Sequence, residues 1–401
     1  MSRAATMQAP AGRPDQGRIH LLDALRGLAI FGTLGTNIWL FAAVGDAGSS
    51  TFFGGGLRWW ASLDGFLTTL TLAVTNGKFL GLLTILFGVG LEIQYQSTRR
   101  RGPPWLRRYL WRTTLLFFEG FLHYVLVFEF DILMGYAVAA FVVAFLVGRS
   151  GKIVRRAMWI SGGLHLLLAG GLSALVGAVA LLDPQAFAST SIFSDEAARV
   201  YTSGSWWDQV LYRLDNMPTY RAEPVFIIPM NVFLFLLGVR LMRSGAFSPD
   251  ADGRRIREKM LRWGLLLGIP LNLLYFVPGG ISELPIRYLF APILSLGYAG
   301  LVALATERSV LPWLSDRLSE VGKAALSCYV VQNVLASAVF YGWGLGLTGK
   351  VGAPGALAVW FAICAVLALL ANLWLRRFPS GPLEMAWRKL AEAPFARGGT
   401  K

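Results

Sequence analysis

Arg99-Arg100-Arg101-Gly102-Pro103-Pro104-Trp105-Leu106-Arg107-Arg108 joins two apolar stretches, 78–97 and 109–128. Guanidinium groups at this density are expelled from hydrocarbon, and by the positive-inside rule they belong on the cytosolic face of a membrane. Working outward from this hairpin, Lys and Arg collect in every second connection. With a cytosolic N-terminus, the inward segments 1–20, 97–108, 149–156, 240–262, 307–323 and 376–401 hold 28 of the 37 basic residues. The outer connections hold six: Arg58, Lys78, Arg199, Arg213, Arg221 and Lys350. Arg26, Arg112 and Arg287 fall within or at the ends of apolar stretches.

The bulk numbers agree. A chain of 401 residues that is 55% hydrophobic and 15% charged, with mean hydropathy +0.54, is too apolar for a soluble domain. Its formal charge of +14 suits loops beside anionic lipid better than nucleic acid, which is not expected as a partner. Both cysteines, Cys328 and Cys364, sit in apolar stretches and form no CxxC, so neither a disulfide framework nor a metal site is expected. Residues 1–18 are polar and rich in Pro and Gly, and read as a disordered cytosolic tail without a cleavable signal.

A bilayer requires roughly 20 apolar residues per helix. Spans are expected at 21–44, 78–97, 109–128, 131–148, 157–182, 225–242, 263–278, 286–306, 322–342 and 355–375. The fold class is therefore all-α: a polytopic bundle of about ten transmembrane helices with both termini cytosolic. The short stretch 62–76, with Asp64 and four Thr, reads as a re-entrant or interfacial helix on the outer side, because a full crossing would put the 99–108 arginines outside. Residues 19–242 form an N-terminal half, 243–262 a solvated linker, 263–390 a C-terminal half and 391–401 a tail. The outer connection 183–224, with Trp206-Trp207, reads as an aromatic belt, an interfacial helix or a lid.

Ionisable groups inside spans are the candidates for function. Asp23 and Arg26 share a helix face near the cytosolic end, either as a local anchor pair or as a site where the guanidinium meets donor phosphates. Glu119 and His123, four residues apart, also share a face. A carboxylate there can fix the imidazole tautomer for a general base, and an interhelical hydrogen bond is the plainer reading. Asn37 and His123 lie in the outer half of their spans, while Lys78, Asp131 and Arg287 lie at the outer starts of theirs. His165 reads as a packed, hydrogen-bonded residue. Gln332 and Asn333 are mid-span.

The string Arg18–Ile30 (RIHLLDALRGLAI) resembles the opening of the YeiB-like family. In the same order follow Phe79–Gly90 (FLGLLTILFGVG), Glu119–Tyr136, Ala291–Ala299 (APILSLGYA), and Val321–Leu326 with Tyr329 and Gln332. The last blocks are Phe340–Leu347 and Gly381–Arg388, and this C-terminal part resembles the domain of unknown function 418. The family is similar to a wider superfamily of transmembrane acyltransferases, including the acyltransferase-3 enzymes and the lysosomal heparan glucosaminide acetyltransferases. Those share an Asp-x-x-Arg-Gly opening, matched here by Asp23, Arg26 and Gly27. The resemblance implies a ten-or-so-helix fold, an acyl donor taken from the cytosol and an acceptor on the far side. The acyltransferase-3 relatives use a first-span histidine as base. Here the aligned region carries Asn37, no histidine lies between 21 and 122, and His123 is the replacement.

The expectation is a multi-pass plasma-membrane acyltransferase that moves an acetyl or other short acyl group from acyl-CoA, without a metal. The acceptor is a hydroxyl or amine of an envelope glycan, lipid or secreted metabolite. His123, oriented by Glu119, is expected to take the acceptor's proton, with Asp131 in the same outer cluster. Asn37 or Lys78 would polarise the thioester, and Arg26, Asp23 and Lys78 would form the donor site. Membrane lipids are partners, and self-association into a homo-oligomer stays open. The rival is a transporter or exporter without covalent chemistry, in which the same polar groups line a path; a third reading is a membrane scaffold.

Overall fold

The computed structural model describes residues 14–43, 59–101, 105–183, 194–277 and 281–396, and every element among them is helical. The N-terminal part comprises α1 (Pro14–Ala42), α2 (Leu63–Thr75), α3 (Lys78–Arg101), α4 (Trp105–Leu126), α5 (Leu133–Val147) and α6 (Gly151–Leu182). Three short helices follow, α7 (Asp195–Ser203), α8 (Trp206–Asp215) and α9 (Met217–Phe226). Then come α10 (Ile228–Arg243), α11 (Ala251–Leu273), α12 (Ala291–Glu307), α13 (Pro312–Lys323), α14 (Ala325–Phe340), α15 (Ala353–Leu375) and α16 (Pro382–Ala396). Residues 1–13 of the expected tail lie outside the described residues, and 14–18 open the first helix.

Five described stretches are long and apolar enough to cross a bilayer: His20–Ala42, Leu63–Arg99, Gly151–Leu182, Glu283–Glu307 and Ala353–Leu375. Counting two bent pairs as one span each raises the number to seven: α9 with α10, bent by 42°, and α13 with α14, bent by 89°. Of the expected ten, the 131–148 span shortens to the 15 residues of α5. At 1.5 Å per residue that is about 22 Å, less than a hydrocarbon core of about 30 Å. The apolar window of α1 is 78% buried within the bundle, against 17% for α6 and 22% for α15. The first helix is thus central, and the other two present their apolar sides outward.

The stretch 62–76 falls in α2, which together with α3 makes one apolar stretch, Leu63–Arg99, of 37 residues, broken at Asn76-Gly77. Two of its threonines bond within their own helix, and Asp64 reaches the start of α15. Thr71 and Thr75 hydroxyls donate to the carbonyls of Leu67 and Thr71 at 2.7 and 2.9 Å, and the Asp64 carboxylate accepts the Ala353 N–H at 3.0 Å. Gly77 makes the break, with φ +78°, a conformation that a Cβ would strain.

The 243–262 segment also differs from a plain linker. Asp250 caps α11 by accepting the Gly253 N–H at 2.7 Å, so residues 251–262 are already helical. Arg257 is only 3% exposed, because it donates to the carbonyls of Ala246 and Ser248 and pairs with Glu307.

Close helix approaches depend on glycine. A Cβ on Gly88 would collide with the Phe235 carbonyl, and one on Gly238 with the Ile85 carbonyl, so α3 and α10 touch backbone to backbone. Gly264 and Gly268 of α11 face Leu294, Gly297 and neighbouring backbone of α12 in the same way. Small residues at such crossings let backbones meet where lipid offers no hydrophobic driving force between helices.

The start of α4 and the C-terminal helix α16 gather at one end of the bundle. There the Arg107 and Arg108 guanidiniums lie 5.8 and 5.2 Å from the Phe395 ring centroid. We call this the basic end. At the other end, α7–α9 form a cap over the α4–α5 connection. Ser205 and Asp208 form a reciprocal capping box at the start of α8, and these hydrogen bonds hold the exposed Asp208 carboxyl below its usual range.

Candidate functional site

The α4–α5 connection, residues 127–132, carries two carboxylates, Glu129 and Asp131, both 0% exposed. Gly120 makes this possible. A Cβ there would press on Met134 N and on an Asp131 carboxylate oxygen, so its absence lets the turn fold down against α4. One helical turn further along α4 stands His123, and Asp131 Oδ1 lies 3.0 Å from its Nδ1. The other oxygen, Oδ2, accepts the Met134 N–H at 3.2 Å and caps the otherwise uncapped start of α5.

Tyr329 and Asn333 of α14 complete the cluster. They are four residues apart, so one helix face presents both. The Tyr329 hydroxyl points at Asp131 Oδ1 from 3.5 Å, and the Asn333 side-chain nitrogen lies 3.2 Å from His123 Nε2. The network assigns the protons. A carboxylate only accepts, so Nδ1 carries the hydrogen, and Nε2 accepts from the Asn333 amide. That tautomer leaves on Nε2 the lone pair a general base requires. Asn333 covers it here.

Two buried arginines from the cap hold the connection in place. Arg213 Nε lies 3.5 Å from Glu129 Oε2, its Nη1 donates to the Val125 carbonyl at 2.9 Å, and its own carbonyl accepts the Tyr124 hydroxyl. Tyr341 donates to Glu129 at 3.2 Å. Arg221 donates to the carbonyls of Asp131, at 3.1 Å, and Glu129, and its guanidinium stacks 4.1 Å from the Tyr124 ring centroid. Buried charges without such partners would be strongly destabilising, so these contacts fix the path of 127–132 and with it the position of Asp131.

Cavities approach this cluster from two sides. One, of about 50 Å³, is lined by Asn37, Asp131, Tyr136, Glu223, Asn231 and Arg287 among others. Arg287 donates to Glu223 at 2.8 Å and to Asn76 at 3.1 Å, so its charge is paired. Asn231 is 1% exposed and its Oδ1 makes no hydrogen bond. The second cavity, of about 540 Å³, opens at the basic end. Arg26, Arg112, Lys323 and Arg388 line it against two acids, Asp23 and Glu384. Its inner wall is apolar, with Ile30, Leu83, Leu86, Phe87 and Leu116, and it reaches Leu133 and Tyr329. Tyr329 touches Asp131, and Asp131 lines the first cavity. Along this line the two cavities are separated by two side chains, Tyr329 and Asp131.

The sequence-derived candidates separate in this frame. Asp131 and His123 come together. Glu119 does not orient His123: Asp131 occupies Nδ1, and Glu119 Oε2 makes no hydrogen bond. The i,i+4 spacing put the two on one face, but the turn returned a closer carboxylate. Asn37 shares a cavity with Asp131. Arg26 donates to Asp23 at 2.9 Å and also lines the basic-end cavity, so anchor pair and cavity wall coincide. Lys78 lies apart from that cavity. It is 0% exposed, 5.9 Å from the Tyr275 ring centroid, and its Nζ makes no hydrogen bond. His165 is packed as expected, its Nε2 2.9 Å from the Tyr288 carbonyl. Among the described residues no group of His, Cys, Asp and Glu could hold a metal ion.

Sequence reasoning noted Asn333 only as a mid-span polar residue, and missed Tyr329, Arg213 and Arg221 as members of the site. The two arginines read as ordinary outer-loop cations. Spacing could have flagged Tyr329 and Asn333 as one face of an apolar helix.

Residues 241–394 match the family described as "Protein of unknown function (DUF418)". The chain is 27% identical over 399 residues to the uncharacterized protein YxaH of Bacillus subtilis (strain 168), covering 95% of this chain and 96% of that relative. It is 27% identical over 398 residues to the uncharacterized protein YeiB of Escherichia coli (strain K12), covering 92% and 95%. These likenesses support a YeiB-like DUF418 family. The DUF418 match supplies Arg287, Tyr329, Asn333 and Glu384, whereas Arg26, His123 and Asp131 come from the preceding part of the chain.

Proposed function

We propose that this is a multi-pass plasma-membrane protein, with about ten crossings and cytosolic termini, that transfers an acetyl or other short acyl group from cytosolic acyl-CoA. The acceptor is a hydroxyl or amine of an envelope glycan, lipid or secreted metabolite. One observation carries the reading: the cation-lined cavity of the basic end runs to Tyr329, whose hydroxyl contacts Asp131, which lines the cavity on the opposite side. A reaction across a membrane requires such a meeting of two compartments at one reactive group.

In this mechanism Arg26, with Arg112, Lys323 and Arg388, holds the donor's phosphates, because guanidinium forks pair with phosphate oxygens. Asn333 swings off Nε2, and His123 takes the acceptor's proton while Asp131 holds Nδ1–H. The acceptor's oxygen or nitrogen attacks the thioester carbonyl, the C–S bond breaks, and the thiolate leaves with the proton from His123. Asn37, which lines the same cavity as Asp131, serves as the oxyanion donor. General-base catalysis of this kind is worth about 10²–10⁴-fold, and an oxyanion donor about 10²–10³-fold.

The test is titration of the purified protein with acetyl-CoA, followed by acyl transfer in membrane vesicles with release of the free thiol. Binding plus a covalently acylated product supports the reading. Accumulation of unmodified substrate across vesicles, without acylated product, supports an exporter instead.

A further inference from the structure

A third chamber, of about 480 Å³, lies beside the basic-end cavity, and Gln94, Tyr109 and Arg112 line both. Its walls are the last turns of α3, the first turns of α4 and the last of α16. Trp105 and Tyr109, one helical turn apart, stack at 4.6 Å between ring centroids and 26° between planes. Phe395 closes the chamber from α16, with the Arg107 and Arg108 guanidiniums 5.8 and 5.2 Å from its ring. Trp105 Nε1 and Arg112 Nε make no hydrogen bond, and Glu392 is the one acid in the lining.

We propose that this chamber binds the adenine nucleotide end of the donor, with the rest of the molecule running past Arg112 into the inner cavity. The proposal rests on the acyl-CoA reading and deepens it. Aromatic faces stack on a purine, and guanidiniums pair with its phosphates, which is the pairing of residue types found here. The inner cavity supplies what an uncharged arm and thioester require, an apolar wall ending at Tyr329. Two unlike chambers in series suit a ligand with two unlike halves. Within the inner cavity Asp23 is already paired with Arg26, and Glu384 accepts the Leu326 N–H at 2.7 Å and the Ser327 hydroxyl at 2.5 Å. Both acids are engaged, and the donor's diphosphate, passing Arg112 at the junction of the two chambers, meets the inner cavity's cations Arg26, Lys323 and Arg388.

The test uses the full-length protein in detergent, titrated calorimetrically with adenosine 3′,5′-bisphosphate, ADP and coenzyme A. The bisphosphate is expected to bind and to be displaced by coenzyme A. Phe395→Ala and Arg108→Ala should each weaken both ligands at least tenfold. Phe395→Leu keeps an apolar side chain without the aromatic face, and should weaken them comparably at an unchanged melting temperature. Coenzyme A binding that is untouched by all three substitutions, with no binding of the bisphosphate, overturns this assignment and leaves the acyl-CoA reading standing. ADP binding that coenzyme A does not displace marks a free-nucleotide site and likewise overturns it. If neither the bisphosphate nor coenzyme A binds, both proposals fall.

Discussion

Asp131 and His123 are bound to each other at 3.0 Å, eight residues apart in sequence, through the oxygen that Tyr329 also approaches. The same carboxylate caps α5 through its second oxygen. Asp131→Asn keeps the volume but replaces a pure acceptor with a group that can present N–H to Nδ1. The wrong histidine tautomer is then favoured. Acyl transfer should fall about 10²–10⁴-fold, the range of a lost general base, measured as thiol release with the melting temperature as a control.

Glu119→Gln is the contrasting case. Because Glu119 makes no bond to His123, transfer should stay within about threefold of the unaltered protein. A loss as deep as that of Asp131→Asn would return the orienting role to Glu119.

Arg213 and Glu129 are 1% and 0% exposed and face each other at 3.5 Å. Removing one partner of a buried ion pair typically costs about 3–5 kcal/mol, since the other charge is left stranded. Arg213→Met and Glu129→Leu should each lower stability by about that amount. The double substitution should recover part of the loss, and a double-mutant cycle of unfolding in detergent measures the coupling.

The α3–α10 crossing yields a packing prediction. Gly88→Leu forces a side chain into the Phe235 carbonyl, and overpacking of this kind costs about 1–3 kcal/mol, more where backbones must part. The melting temperature should drop. Gly163, with no neighbour within 4 Å of a built Cβ, should tolerate alanine without such a drop.

Much of the scaffold was legible because hydropathy and charge act locally. The hairpin at 97–108 and the apolar stretches around it follow from the cost of burying arginine in oil. The partner of His123 was not legible, because it depends on how a turn folds back. Glu119 and Asp131 are both near in sequence, and only Gly120, by yielding space, selects the second. Arg213 and Arg221 were hidden for the same reason. An arginine in an outer connection reads as a solvated cation until the cap closes over the turn and buries it against Glu129 and Tyr124.

The most direct measurement is transfer of radiolabelled acetyl from acetyl-CoA supplied to the cytosolic face of sealed inside-out vesicles, with and without Asp131→Asn. The account predicts covalently bound label on the luminal side and its near-complete loss in the variant. Covalent labelling undiminished by Asp131→Asn, or no covalent label with the unaltered protein, contradicts it.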